Sequence, residues 1–137
     1  MTRAQIIHKV ESLLPPQEKI VGIFQAQKDG PFWHHLLLGP FASFLMEFYI
    51  ICVTDKKLYF HRQKLSGKDF KNTQCHDFKQ FSNILFKKGI LQNKLNLGWV
   101  NGKTIKLKIP ARGVKSLLLL EQNTLNFLKS NIKKLQE

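Results

Sequence analysis

Apolar residues recur at helical spacing near both ends of the chain and alternate or cluster between them, a pattern of helix, strands, helix. Ile6, Ile7, Val10, Leu13 and Leu14 mark one face of a helix over residues 1–14, with Thr2 as its N-cap and Pro15 and Pro16 as its stop. From Glu18 to Lys28, Ile20, Gly22, Phe24 and Ala26 alternate with Val21, Ile23, Gln25 and Gln27, a strand broken by Asp29, Gly30 and Pro31. Phe32 to Leu45, FWHHLLLGPFASFL, is a connector whose pattern fixes no conformation. Glu47 to Val53 and Lys57 to Arg62 read as strands around a turn in which Thr54 and Asp55 satisfy backbone groups. Lys68 to Phe78 and Ser82 to Lys87 read as a further strand pair, broken near Lys79 and Gln80.

The hairpin from Ile90 to Ile109 can be placed to the residue. Leu91, Leu95, Leu97 and Trp99 share one strand face, as do Ile105, Leu107 and Ile109 on the next. A two-residue Asn101-Gly102 loop would set Leu97 against Lys106, putting apolar and charged side chains on one face. A three-residue loop, Val100 to Gly102, pairs Trp99 with Lys103, Leu97 with Ile105 and Leu95 with Leu107, and each face becomes consistent. It calls for a type I turn with Gly102 in the left-handed region as a G1 bulge.

After Pro110, the residues Val114, Leu117, Leu118, Glu121, Leu125, Leu128, Ile132 and Leu135 form one stripe of a helix over residues 112–135. Leu120 and Phe127 make a second apolar line, a wide core face or a subunit interface. Helix, about seven antiparallel strands over residues 18–109 and a terminal helix make one α+β domain of 137 residues, a bent sheet or partly open barrel capped by the last helix.

Charge changes the picture. Lys56 to Lys115 holds 15 basic residues against only Asp69 and Asp77, a net +13, while the flanks balance at seven of each sign. Such a block on a strand-rich segment fits an anionic surface or polyanion. Only three of the 22 basic residues are Arg, which suits diffuse attraction rather than bidentate recognition. Residues 31–53 are long enough to cross a bilayer, but Gly39 and Pro40 interrupt them, Glu47 would be costly at that depth, and FYIICV suits a buried strand. No apolar core of signal-peptide length precedes Glu11, so the expected location is cytoplasmic, with peripheral attachment to the inner membrane face. Cys52 and Cys75 are expected as buried free thiols.

LLPPQEKIV, then IICVTDKKLYFHR, then QCHDFKQFSNILFKKGILQNKLNL and NGKTIKLKI before a helix together resemble the bacterial pleckstrin-homology-like (PH/GRAM-like) family over residues 13–135. The resemblance implies a barrel plugged by its C-terminal helix, acting as a binding or assembly module for phosphoinositides, other membranes, peptides or further copies. The chain departs from the phosphoinositide-binding pattern where Lys and Arg should follow the first strand, because FWHHLLLGPFASFL stands there.

No catalytic motif is present, and no cofactor is expected. His34 and His35 are adjacent, which is poor two-ligand geometry, and no third ligand lies near them in sequence. The candidate anion- or lipid-binding residues are Lys64, Lys68, Lys71, Lys87 and Lys88 at hairpin ends and Lys103, Lys106 and Lys108 on the last strand. Phe32 and Trp33 are candidate membrane anchors, and Leu120 and Phe127 candidate interface residues. The expected partner is an anionic membrane surface or a protein, with a homo-oligomer as an open alternative. A nucleic-acid-binding barrel is the rival reading. It is weakened because Tyr59, Phe60, Phe78, Phe81, Phe86 and Trp99 occupy apolar positions and read as core rather than as stacking platforms.

Overall fold

The computed structural model describes residues 2–28, 47–64, 69–90, 92–111 and 118–132. Helix α1 (Arg3–Ser12) begins with the expected cap: the Gln5 amide donates to Thr2 Oγ1, and the Thr2 amide donates to Gln5 Oε1. Seven strands follow: β1 (Ile20–Lys28), β2 (Phe48–Thr54), β3 (Lys57–Gln63), β4 (Phe70–Asp77), β5 (Phe81–Lys87), β6 (Gln92–Trp99) and β7 (Thr104–Pro110). Helix α2 (Gln122–Asn131) ends the described chain. All strand pairs are antiparallel, and the sheet runs β4-β3-β2-β1-β7-β6-β5 without closing.

The β2–β3 turn is held as the residue types dictate. Thr54 Oγ1 accepts from the Lys57 amide at 2.9 Å and donates to Glu18, while Asp55 accepts from the Lys19 amide at 3.0 Å. In the β6–β7 hairpin, Leu97 faces Ile105 and Leu95 faces Leu107, and the Trp99 amide donates to the Lys103 carbonyl. Gly102 has φ +92°, as the three-residue loop requires.

Two cores use the two sheet faces. The main one joins Phe24, Ile51, Val53, Phe60, Leu95, Leu97, Leu107 and Ile109 to Leu125, Leu128 and Ile132, which cover the bent sheet from one end. On the opposite face of β2 and β3, α1 lays Ile6 and Val10 over Ile50, Cys52 and Tyr59. β2 is buried from Ile50 to Thr54 because both of its faces are covered, which explains its unbroken apolar run. The approach of α2 to β1 depends on a missing side chain: a Cβ at Gly22 would lie 2.1 Å from Thr124 Oγ1.

Three expectations differ. β4 and β5 do not pair with each other but lie at opposite edges of the sheet, because a single 3₁₀ turn at Phe78–Gln80 carries the chain around a corner. Of the helix expected over residues 112–135, residues 122–131 are helical. Residues 118–121 are not helical, since the Gln25 amide donates to the Leu118 carbonyl at 2.9 Å and the Leu118 amide donates back to Gln25 Oε1 at 3.0 Å. Cys75 is a free thiol but exposed, since it lies on the edge strand β4, whereas Cys52 is buried and free, its thiol pushed up to about 12 chiefly by burial.

Candidate functional site

The pairing of β5, β6 and β7 builds a grid on their outward face. Because Leu95, Leu97, Ile105, Leu107 and Ile109 point into the core, their sequence neighbours point out. Lys87 lies directly opposite Lys94, and Lys94 directly opposite Lys108. The next row on the same face is Leu85, Asn96 and Lys106. Adjacent strands are ~4.8 Å apart and opposed Cβ atoms ~5 Å apart, so three lysines spring from one line across the sheet.

Lys87, Lys94 and Lys106 meet no acidic partner among the described residues. The ion pairs among the described residues are Lys9–Asp69, Lys28–Glu47, Arg62–Glu47 and Lys64–Asp69, none of which uses Lys87, Lys94 or Lys106. Leu85, half exposed at 50%, sits within the grid, and Ile90, 78% exposed, projects at the tip of the β5–β6 turn beside Lys87 and Lys88. A depression of about 470 Å³ opens between Asn83, Leu85, Asn96 and Lys106, with Lys129 at its rim. Like charges directly opposed on a sheet destabilise it, so this row is a cost to the fold.

A second cleft, of about 600 Å³, lies at the end of the sheet where β1 stops and β2, β4 and β7 begin. Its cations are Lys28, Arg62 and Lys103, and Glu47 stands among them at 3.6 Å from Lys28 and 3.5 Å from Arg62. Burial works to raise the Glu47 carboxyl, but the hydrogen bond from Tyr49 and the two cations outweigh it and hold the group below its usual value. Glu47 thus satisfies two of the cleft's three cations from within.

The expected site residues divide accordingly. Lys87, Lys106 and Lys108 come together on the β5–β7 face, and Lys88 follows β5 at its exposed end. Lys103 belongs to the cleft. Lys71 is on β4 at the far edge, and Lys64 is near Asp69 in the other half of the sheet. Lys68, Phe32 and Trp33 lie outside the described residues, as do His34 and His35. Leu120 and Phe127 are half-buried against the main core, with the Phe127 ring edge-on to Phe78 at 5.8 Å, the packing of a wide core face. Lys94, at the centre of the row, was not among the candidates, although the register that pairs Leu95 with Leu107 places it against Lys108. Of the aromatics in the basic segment, Tyr59, Phe60 and Phe81 are buried, while Phe78, Phe86 and Trp99 pack on the main core.

A family model described as bacterial PH domain matches the chain over residues 14–118, the stretch that carries all seven strands and neither helix. The chain belongs to the bacterial PH domain family. Among solved structures, the PH-like chain is similar to the hSac2 domain of the human phosphoinositide phosphatase Sac2, at 11% identity and TM-score 0.56, covering 96% of this chain and 83% of that one. It is also similar to the C-terminal domain of an unknown protein from Leishmania infantum, at 13% identity and TM-score 0.51, covering 79% and 84%. No curated protein matches it. The family is typically a non-catalytic module for lipid or protein binding. Among the described residues, no helix is long and apolar enough to cross a membrane, and no cluster of three metal-ligating side chains is found.

Proposed function

We propose that this PH-like domain is a non-enzymatic module that attaches peripherally to anionic membrane through the outer face of β5, β6 and β7. The observation that carries the reading is the opposed row Lys87, Lys94 and Lys108, with Lys106 beside it. Each Lys near an anionic surface contributes about 1 kcal/mol, so four on one face supply binding that none supplies alone. The preponderance of Lys fits a surface of many headgroups better than one shaped phosphate pocket. Leu85 and Ile90 supply apolar contact at the face and its rim, and Phe32 and Trp33 of the uncharged connector are the further anchors in this reading.

The test is co-sedimentation with phosphatidylserine-containing vesicles of wild type and of a variant with Lys87, Lys94, Lys106 and Lys108 all changed to Glu. The expected result is loss of binding with an unchanged circular-dichroism spectrum. Undiminished binding by the folded variant would remove this face from the account.

A further inference from the structure

A bulge and a missing side chain build a polar hollow into the outer face of β5, β6 and β7. Ser82 is an extra residue in β5: Phe81 pairs with Trp99 but Asn83 with Gly98, so Phe81 and Ile84 both reach the main core. In an unbulged strand Asn83 would share the inward face of Phe81; here it is turned outward. Gly98 leaves it room, since a Cβ there would lie 2.3 Å from Asn83 Oδ1. A bulge interrupts the ladder and a glycine inside a strand weakens it, so both features are a cost to the sheet. The depression of about 470 Å³ is lined by Asn83, Leu85, Asn96, Thr104 and Lys106, with Lys129 of α2 at its rim. Asn83 and Asn96 are half-buried, and neither carboxamide makes a hydrogen bond among the described residues. Lys106 is in no ion pair there, and the lining contains no carboxylate. The two lysines suit the single charge of a phosphodiester. Each carboxamide offers both a donor and an acceptor, which is what a hydroxyl requires. A headgroup ammonium would find no anion in the hollow to replace its water.

We propose that this hollow takes the headgroup of a phosphatidylglycerol molecule in the membrane, with the phosphodiester toward Lys106 and Lys129 and the two glycerol hydroxyls toward Asn83 and Asn96. The inference rests on the membrane reading and adds headgroup selection to it. The lysine row attracts any anionic surface, whereas the carboxamides distinguish phosphatidylglycerol from phosphatidylserine, which has the same net charge but carries an ammonium and a carboxylate in place of hydroxyls.

Co-sedimentation with phosphatidylcholine vesicles carrying an equal fraction of either phosphatidylglycerol or phosphatidylserine tests it. Wild type is expected to bind the phosphatidylglycerol vesicles about fivefold more tightly or better, the difference that one or two net hydrogen bonds make. Asn96→Leu and, separately, Asn83→Ser, each with an unchanged circular-dichroism spectrum, are expected to bring the two affinities together. Lys87→Gln, in the lysine row, is expected to weaken binding to both vesicles and to keep their ratio. Equal binding of wild type to the two anionic vesicles overturns the proposal while leaving the lysine face in place, and so does a preference that survives both asparagine substitutions. No binding to either anionic vesicle overturns the membrane reading itself and this inference with it.

Discussion

His61 shows how little room a buried polar side chain leaves for a change in charge. It is fully buried on the α1 side of β3, stacked on Phe70 at 4.9 Å and near Tyr59, with Nδ1 2.8 Å from Thr73 Oγ1 and Nε2 without a partner. Burial pushes its pKa down to about 4, so the folded protein resists a proton that the unfolded chain takes up near pH 6.5. Stability is therefore fully present above that value and falls as pH drops from 6.5 toward 4. Urea unfolding at a series of pH values should show this slope in wild type, and His61→Gln should flatten it. His76, also lowered by burial, adds to the slope in the same direction. Glu47 and Asp69, held below ordinary carboxylate values, lose their contribution only at lower pH. At Gly22 the constraint is steric: Gly22→Ala should cost about 1–3 kcal/mol in chemical unfolding, and Thr124→Ala in that background should recover part of it by removing the two nearest atoms.

Among the elements, the β5–β7 face sets function against stability. Lys94 has a lysine directly opposite it on both neighbouring strands. Lys94→Gln should stabilise the fold by about 0.2–1 kcal/mol in urea titration while lowering partition onto anionic vesicles. A loss of both would mean that Lys94 packs rather than presents charge. The β6–β7 register was legible in the sequence because only a three-residue loop keeps Leu95, Leu97, Ile105 and Leu107 on one face. Lys94 follows from the same register but stands alone in the sequence, between Asn93 and Leu95, with no basic neighbour to mark it. β4 was misplaced for a physical reason: exposed on both faces over 71–75, it has no alternation to reveal which strand it pairs with. Leu117 to Leu120 suited a helical stripe, yet Leu118 is spent on backbone exchange with Gln25, a partner 93 residues away that periodicity cannot reveal.

For the whole molecule, the question is where the net +13 goes. Near Glu47 and Asp69 the basic groups meet acidic partners, and the balance is restored within the fold. On β5, β6 and β7 the charge is stacked against itself and turned outward. The family match fixes the kind of module, and the lysine face is part of the surface this chain presents. Surface attraction of this kind is screened, with a Debye length near 8 Å at physiological salt. The deciding measurement is co-sedimentation of wild type with phosphatidylcholine vesicles and with phosphatidylserine-containing vesicles, each at low and high salt. Binding to the anionic vesicles alone, weakened by salt, is the predicted result; equal binding to both, or none to either, contradicts the account.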